Sequence, residues 1–366
     1  MKLIHCADLH LDSKMSANLD KEKAKERRGE ILDTFERMVR YASENEVSAI
    51  LIAGDLFDTK NISATTRNTV LHNITGHPEI TFYYLKGNHD SNNFLSGLEE
   101  LPSNLKMFHS QWTTYEEADG KIAVSGLELS AENSGSAYVS LVLDSKKFNI
   151  VMLHGQEAGG PVKDKAESIN LKALRNKGID YLALGHVHAY KKEQLDARGI
   201  YCYAGCLEGR GFDECGEHGF AVLDVEEDTG KYTYEFVPFA RRKLYTVKVD
   251  VTGCERTAEM VSKAAAALQA AGCGEESLVK LVLEGMLDVA CEKDIPYFLS
   301  KFSSKFYFVK VYDETTLKID IDDYMLDESL KGEYVRQVMT DASISEEDKK
   351  IIIRYGLQAI AGEEVQ

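Results

Sequence analysis

Short apolar runs, each closed by a polar cluster, recur through the first half of the chain. Residues 2–7 (KLIHCA) lead into Asp8-x-His10, and 48–53 (SAILIA) into Gly54-Asp55. The run 80–85 (ITFYYL) leads to Gly87-Asn88-His89-Asp90, and 148–155 (FNIVMLHG) and 179–188 (IDYLALGHVH) repeat the arrangement. Continuous apolar runs of this length predict strands buried on both faces. Between them the period changes: Ile31, Leu32, Phe35, Met38 and Val39 recur at helical spacing and predict a helix over about 21–46. A second helix is expected around 64–74, and short strands at 200–204, 219–225 and 231–238. Strands alternating with helices predict a layered α/β fold. In that class functional residues gather at the C-terminal ends of strands, where these polar clusters lie.

The pattern resets around residues 238–243 (PFARRK). A strand at 244–251, a helix at 255–271, a strand at 278–284, a helix at 292–300 and a strand at 305–312 predict a smaller α/β unit. Two helices follow at 333–340 and 346–360, with Ser345 as N-cap of the second. The expected division is therefore 1–240, 241–320 and an acidic helical tail, 321–366.

The 366 residues and 44% hydrophobic content suit two globular domains. The net charge of −17 argues against a protein that coats nucleic acid through basicity alone. That charge is uneven: Asp313–Gln366 holds −8 of it. Near the front, KEKAKERR (residues 21–28) is basic and reads either as a solvated helix face or as a phosphate-contacting one. No run reaches the ~20 apolar residues of a membrane span. The start lacks a signal-peptide hydrophobic region, and seven cysteines, an odd number, read as reduced thiols, so a cytoplasmic protein is expected.

Taken singly, the polar clusters are weak signals, because a lone strand-end histidine is usually structural. Five in a fixed order, each closing an apolar run, point to a metal site. Asp8, His10, Asp55, Asn88, His154, His186 and His188 are more donors than one ion needs. Carboxylate and imidazole without thiolate suit Mn, Fe or Zn, and four histidines disfavour magnesium. If Asp55 bridges, two ions receive four protein ligands each. Two ions about 3.5–4 Å apart hold a hydroxide and polarise a phosphoryl group for in-line attack.

These clusters resemble those of the calcineurin-like metallophosphoesterase superfamily. Within it, Gly54-Asp55-Leu56-Phe57-Asp58 and the glycine-rich segment 203–220 (YAGCLEGRGFDECGEHGF) resemble the meiotic recombination 11 / SbcD family of DNA repair nucleases. The resemblance implies a sandwich of two sheets flanked by helices, with a capping domain at about 243–312 and a helical tail. It implies one metal on Asp8, His10, Asp55 and His188 and another on Asp55, Asn88, His154 and His186. His89 resembles the histidine that assists the leaving group, and Asp58 is placed to orient it, or else caps its own loop. Asp90 reads as support behind the ligands.

The resemblance further implies a manganese-dependent DNA exo- or endonuclease subunit for double-strand-break repair. Its implied partners are DNA, an SMC-like ATPase of the SbcC type and a second copy of the chain. In the family a C-terminal helical segment docks on the ATPase. Here Ile351, Ile352, Ile353, Leu357 and Ile360 either serve that purpose or pack on the capping domain. Asp58-Thr59-Lys60 stands where protein phosphatases of the superfamily carry Arg-Gly after the second Asp, which lowers that reading. The alternatives are a phosphatase or cyclic-nucleotide phosphodiesterase with the same metal pair, and a non-catalytic DNA-end-binding subunit. No ligand position is missing, which ranks the last lowest.

Four further features have plain readings. Cys202, Cys206, Cys215 and His218 hint at zinc but contain no CxxC pair, so ordinary thiols are expected. Cys6, Tyr83, Tyr84 and Trp112 read as core. Phe57 reads as core or as a contact for a nucleotide base.

Overall fold

The computed structural model describes residues 1–15, 19–58, 61–90, 92–95, 98–158, 168–288, 291–318 and 321–361. Thr59 and Lys60 lie outside the described residues. The chain divides into two compact units, Met1–Lys243 and Leu244–Gln366.

The first unit is a sandwich of two six-stranded sheets. In one, Lys2–Cys6, Ala49–Ala53, Thr81–Leu85 and Leu105–Met107 run parallel, and Gly219–Val225 and Tyr232–Pro238 extend the edge antiparallel. In the other, Ile122–Gly126, Phe148–His154, Tyr181–Gly185 and Ile200–Tyr203 are parallel. The edges Thr113–Glu117 and Lys191–Gln194 are antiparallel to their neighbours. Alternate residues meet between the sheets: Leu3, Leu51 and Tyr83 from one, Ile150, Met152, Tyr181 and Ala183 from the other. The second sheet's outer face buries Val151, Leu153, Leu182 and Leu184 against Leu127, Leu141, Leu171 and Leu174. Strands buried on both faces are why these runs are apolar throughout rather than alternating.

The helix Lys21–Glu44 is capped by Asp20, whose side chain accepts from Lys23 N, and it buries Ile31, Phe35 and Met38. Its basic first turns are not uniformly solvated: Lys21, Lys25 and Arg28 are exposed, but Arg27 is fully buried. Arg27 donates to Glu30 Oε2 (2.6 Å), to Glu208 Oε2 (3.1 Å) and to the Gly209 carbonyl (2.9 Å), with Arg242 closing on Glu30. The exposed-face reading therefore fails at Arg27, because a long-range partner at 208 is invisible to local charge pattern. Several strands also escaped the pattern. Thr113–Glu117 and Lys191–Gln194 are polar edge strands with one face in solvent, so they carry no apolar run.

The second unit begins with three parallel strands, Leu244–Asp250, Leu278–Asp288 and Phe308–Lys318. One face packs Val249, Leu281 and Leu283 against Met260, Ala264 and Leu268 of the helix Thr257–Ala270. Three helices follow: Ile321–Leu326, Leu330–Thr340 and Glu346–Ala361. Ile353 and Leu357 are buried with Val335 and Val338, whereas Ile351 is 47% exposed. A cavity of about 390 Å³ lined by Met286, Leu317, Ile321 and Ile351 separates the last helix from the strand ends. No helix among the described residues is long and apolar enough to cross a membrane.

Candidate metal centre

The five polar clusters meet at one edge of the sandwich. Asp8, His10, Asp55 and Asn88 follow three parallel strands of the first sheet. His154 ends, and His186 and His188 follow, two adjacent parallel strands of the second. The loops after the first two strands are stitched together: Asp8 N donates to Gly54 O (3.0 Å), His10 N to Asp55 O (2.9 Å) and Leu11 N to Leu56 O (2.9 Å). That pairing sets Asp8 and His10 beside Asp55.

Side-chain atoms of Asp8, His10 and His188 lie within 4.8 Å of one another, as do those of Asp8, Asp55 and His154. His10, Asp58 and His89 form a third such group. His10 Nε2 is 3.1 Å from His188 Nε2 and 3.8 Å from Asp55 Oδ2. His154 Nε2 is 3.1 Å from Asn88 Oδ1 and 3.4 Å from Asp55 Oδ2. His186 lies outside these groups but packs its ring edge-on to His154, centroids 5.3 Å apart. Its backbone N–H donates to both oxygens of Asp8 (2.8 and 3.0 Å).

The backbone bends sharply to make this convergence. Asp8, His10, Asp55 and His186 adopt positive φ (51°, 46°, 50° and 95°), a region costly for residues with a Cβ. Glycines precede three of the clusters for a related reason. A Cβ on Gly54 would lie 2.1 Å from His154 Nδ1, one on Gly87 2.2 Å from Asp55 Oδ1, and one on Gly185 2.0 Å from the Ala53 carbonyl oxygen. The two sheets approach this closely at Gly54 and Gly185, and the loops of the first sheet at Gly87, only because those positions lack side chains. Gly87→Ala is accordingly expected to push the Asp55 carboxylate out of place. Metal content per chain should fall at least tenfold, measured by elemental analysis after equilibrium dialysis, with a smaller loss in melting temperature.

Two of the imidazoles take their orientation from the other ring nitrogen. His154 Nδ1–H donates to the Ala53 carbonyl (2.9 Å), which turns Nε2 towards Asp55 and Asn88. His188 Nδ1–H donates to Glu214 Oε1 (2.6 Å), which turns Nε2 inward. Asp8 and Asp55 are 0% and 2% exposed, and among the described residues neither pairs with a lysine or arginine. Burial pushes the Asp8 carboxyl up, with the nearby histidines opposing. Burial would raise Asp55 too, but the hydrogen bond and charge of His154, with His10 and the His89 amide, hold it well below its ordinary value. Burial disfavours charge on His154, yet Asp55 and Asp8 outweigh it and lift the ring to about 9. Two buried carboxylates paired with no lysine or arginine among the described residues, and faced by imidazole nitrogens, fit a pair of divalent cations.

The remaining expected residues sort clearly. The Asp58 carboxylate Oδ1 accepts from Arg210 (2.9 Å) and lies 3.1 Å from His10 Nδ1, against 3.8 Å from His89 Nδ1. His89 is the open member of the group, its side chain 45% exposed, with its ring 5.0 Å from that of His10. Its backbone N–H donates to Asp55 Oδ1 (2.9 Å). Asp90 supports the loops, accepting from the amides of Leu56, Phe57 and Gly87, and burial lifts it to about 6. Phe57 is fully buried against Phe94, as a core residue. Cys202 meets Tyr234, Cys206 meets His218 and Cys215 is exposed, so these thiols do not converge. Arg210 and Glu214 were not singled out from sequence. They sit in the glycine-rich segment, and only its density of charged residues signalled them.

A family model described as calcineurin-like phosphoesterase matches residues 1–190. An uncharacterized metallophosphoesterase, YhaO of Bacillus subtilis, is 28% identical over 301 residues, 78% of this chain and 72% of that protein. The DNA double-strand break repair protein Mre11 of Methanopyrus kandleri is 25% identical over 277 residues, 68% of this chain and 59% of that protein. Its counterpart in Sulfolobus acidocaldarius is 24% identical over 267 residues, 68% of this chain and 67% of that protein.

Proposed function

The chain belongs to the calcineurin-like phosphoesterase family, and from that premise we propose that it is a two-metal phosphodiesterase acting on DNA. The observation that carries the hydrolytic reading is the convergence of Asp8, His10, Asp55, Asn88, His154, His186 and His188 from both sheets onto one edge. The DNA assignment draws on the relatives named as double-strand break repair proteins. In this reading one metal position comprises Asp8, His10, Asp55 and His188, the other Asp55, Asn88, His154 and His186. Bound cations, manganese foremost, supply Lewis acidity and lower the pKa of water. Asp55 would serve both positions. His89, half exposed beside Asp55, orients the scissile phosphate and delivers a proton to the leaving oxygen. The strand–helix unit from Leu244 acts as a capping domain. An SbcC-type ATPase and a second copy of the chain complete the assembly, and the acidic tail reduces the chain's own grip on DNA.

End-labelled linear duplex DNA, cyclic nucleotides and phosphopeptides, each with manganese, test the reading. DNA is expected to be degraded in preference to the others. Turnover confined to small molecules would sink it and favour the phosphatase or cyclic-nucleotide alternative. His89→Ala should lower DNA cleavage by about 10²–10⁴-fold while leaving metal content intact. Wild-type turnover in that variant would remove the proton-delivery role.

A further inference from the structure

Behind the ligand cluster lies a ring of charge that is unevenly distributed. His188 Nδ1–H donates to Glu214 Oε1 (2.6 Å), and His10 Nδ1 lies 3.1 Å from Asp58 Oδ1. One guanidinium gathers both carboxylates: Arg210 Nη1 donates to Asp58 Oδ1 (2.9 Å) and Nη2 to Glu214 Oε1 (3.1 Å). The backbone of Arg210 is anchored as well. Its N–H donates to Glu214 Oε2 (2.7 Å), and the carbonyl of Gly209 accepts from Arg27 (2.9 Å). The other side of the centre is built differently, since His154 is oriented by the backbone carbonyl of Ala53 (2.9 Å).

We infer that Arg210 is a positioning residue for one of the two metal positions. Through Asp58 and Glu214 it fixes the rings of His10 and His188, and so sustains the position these share with Asp8 and Asp55. The inference rests on the two-metal reading. Without the guanidinium, Asp58 and Glu214 bring uncompensated negative charge towards Asp8 and Asp55. They then turn outward to water and release both rings. Losing one positive charge also favours cation binding nearby, but that gain is small against the loss of two oriented ligands. Lysine is a poor substitute, because a point charge cannot bridge two carboxylates as a planar fork does.

Manganese titration of the chelator-treated full chain, followed by calorimetry and by electron paramagnetic resonance of free manganese, tests this. The wild type is expected to take two equivalents. Arg210→Met should keep one equivalent at wild-type affinity and bind the other about 10–100-fold more weakly. Arg210→Lys should recover only part of that loss. If Arg210→Met does not fold, judged by circular dichroism of the metal-free protein, Glu214→Gln replaces it. The same selective weakening is then expected through His188 alone. Two equivalents bound with unchanged, tighter or equally weakened affinity overturn the inference while leaving the two-metal reading standing. Fewer than two equivalents on the wild type overturns that reading and this inference together.

Discussion

Asp55→Asn is expected to abolish hydrolysis and to reduce bound manganese from two equivalents to below one. Asp55 lies close to ligands of both proposed positions, 3.8 Å from His10 Nε2 and 3.4 Å from His154 Nε2. The amide keeps the volume and one acceptor oxygen but removes the charge. With a neutral residue there, only Asp8 would remain as a carboxylate to offset the charge of two cations held by these residues, so both would bind more weakly. The His89 amide still finds an acceptor, so the loop holds its shape and the loss is electrostatic. Activity should fall by about a thousandfold or more, equivalent to about 4 kcal/mol of barrier. Metal content by elemental analysis and turnover of end-labelled DNA check this together. A variant that retained two equivalents would deny Asp55 the bridging place.

Arg27→Met should cost about 3–5 kcal/mol of stability, the usual penalty for removing one partner of a buried charge cluster. Arg27 is fully buried and holds Glu30, Glu208 and the Gly209 carbonyl, so its loss leaves Glu30 to Arg242 and Arg241, and Glu208, among the described residues, with no guanidinium partner, only the Thr34 hydroxyl and the Arg241 amide. Urea unfolding of the first transition measures the loss, and a change under 1 kcal/mol would contradict the network's role. The sign of the pH dependence follows from Glu30. Burial alone would raise its carboxyl, but bonds from Arg242 and Arg27 hold it below the ordinary 4.5. A depressed carboxyl stabilises the fold above its unfolded pKa, and that contribution is lost as pH falls through the folded value. Wild-type stability should therefore drop on acidification below about pH 4.5, and the drop should be shallower in Arg27→Met. Since Gly209 precedes Arg210, weaker binding of one manganese equivalent is expected in the same variant.

The legible part of this protein was its strand ends. Apolar runs such as 48–53 and 148–155 mark strands buried on both faces, and the polar residue closing each run needs no tertiary knowledge to be noticed. Arg27 shows where such reading stops. A basic residue among basic neighbours looks solvated unless Glu208, far along the chain, is known to lie against it. Asp58 shows the same limit. The sequence reading pairs it with His89, yet its carboxylate sits closer to His10 and is taken by Arg210.

The order and chemistry of the seven clustered residues are properties of the sequence alone, because each follows a strand that local hydrophobicity defines. Their convergence is a property of the sandwich. Asp8, His10, Asp55 and Asn88 belong to one sheet, and His154, His186 and His188 to the other. They form one centre only because Gly54, Gly87 and Gly185 let backbone and ligand side chains pack where any Cβ would collide. The charge ring of Asp58, Arg210 and Glu214 likewise exists only once the segment after 203 folds back across the strand ends. No periodicity records which carboxylate a distant guanidinium will meet.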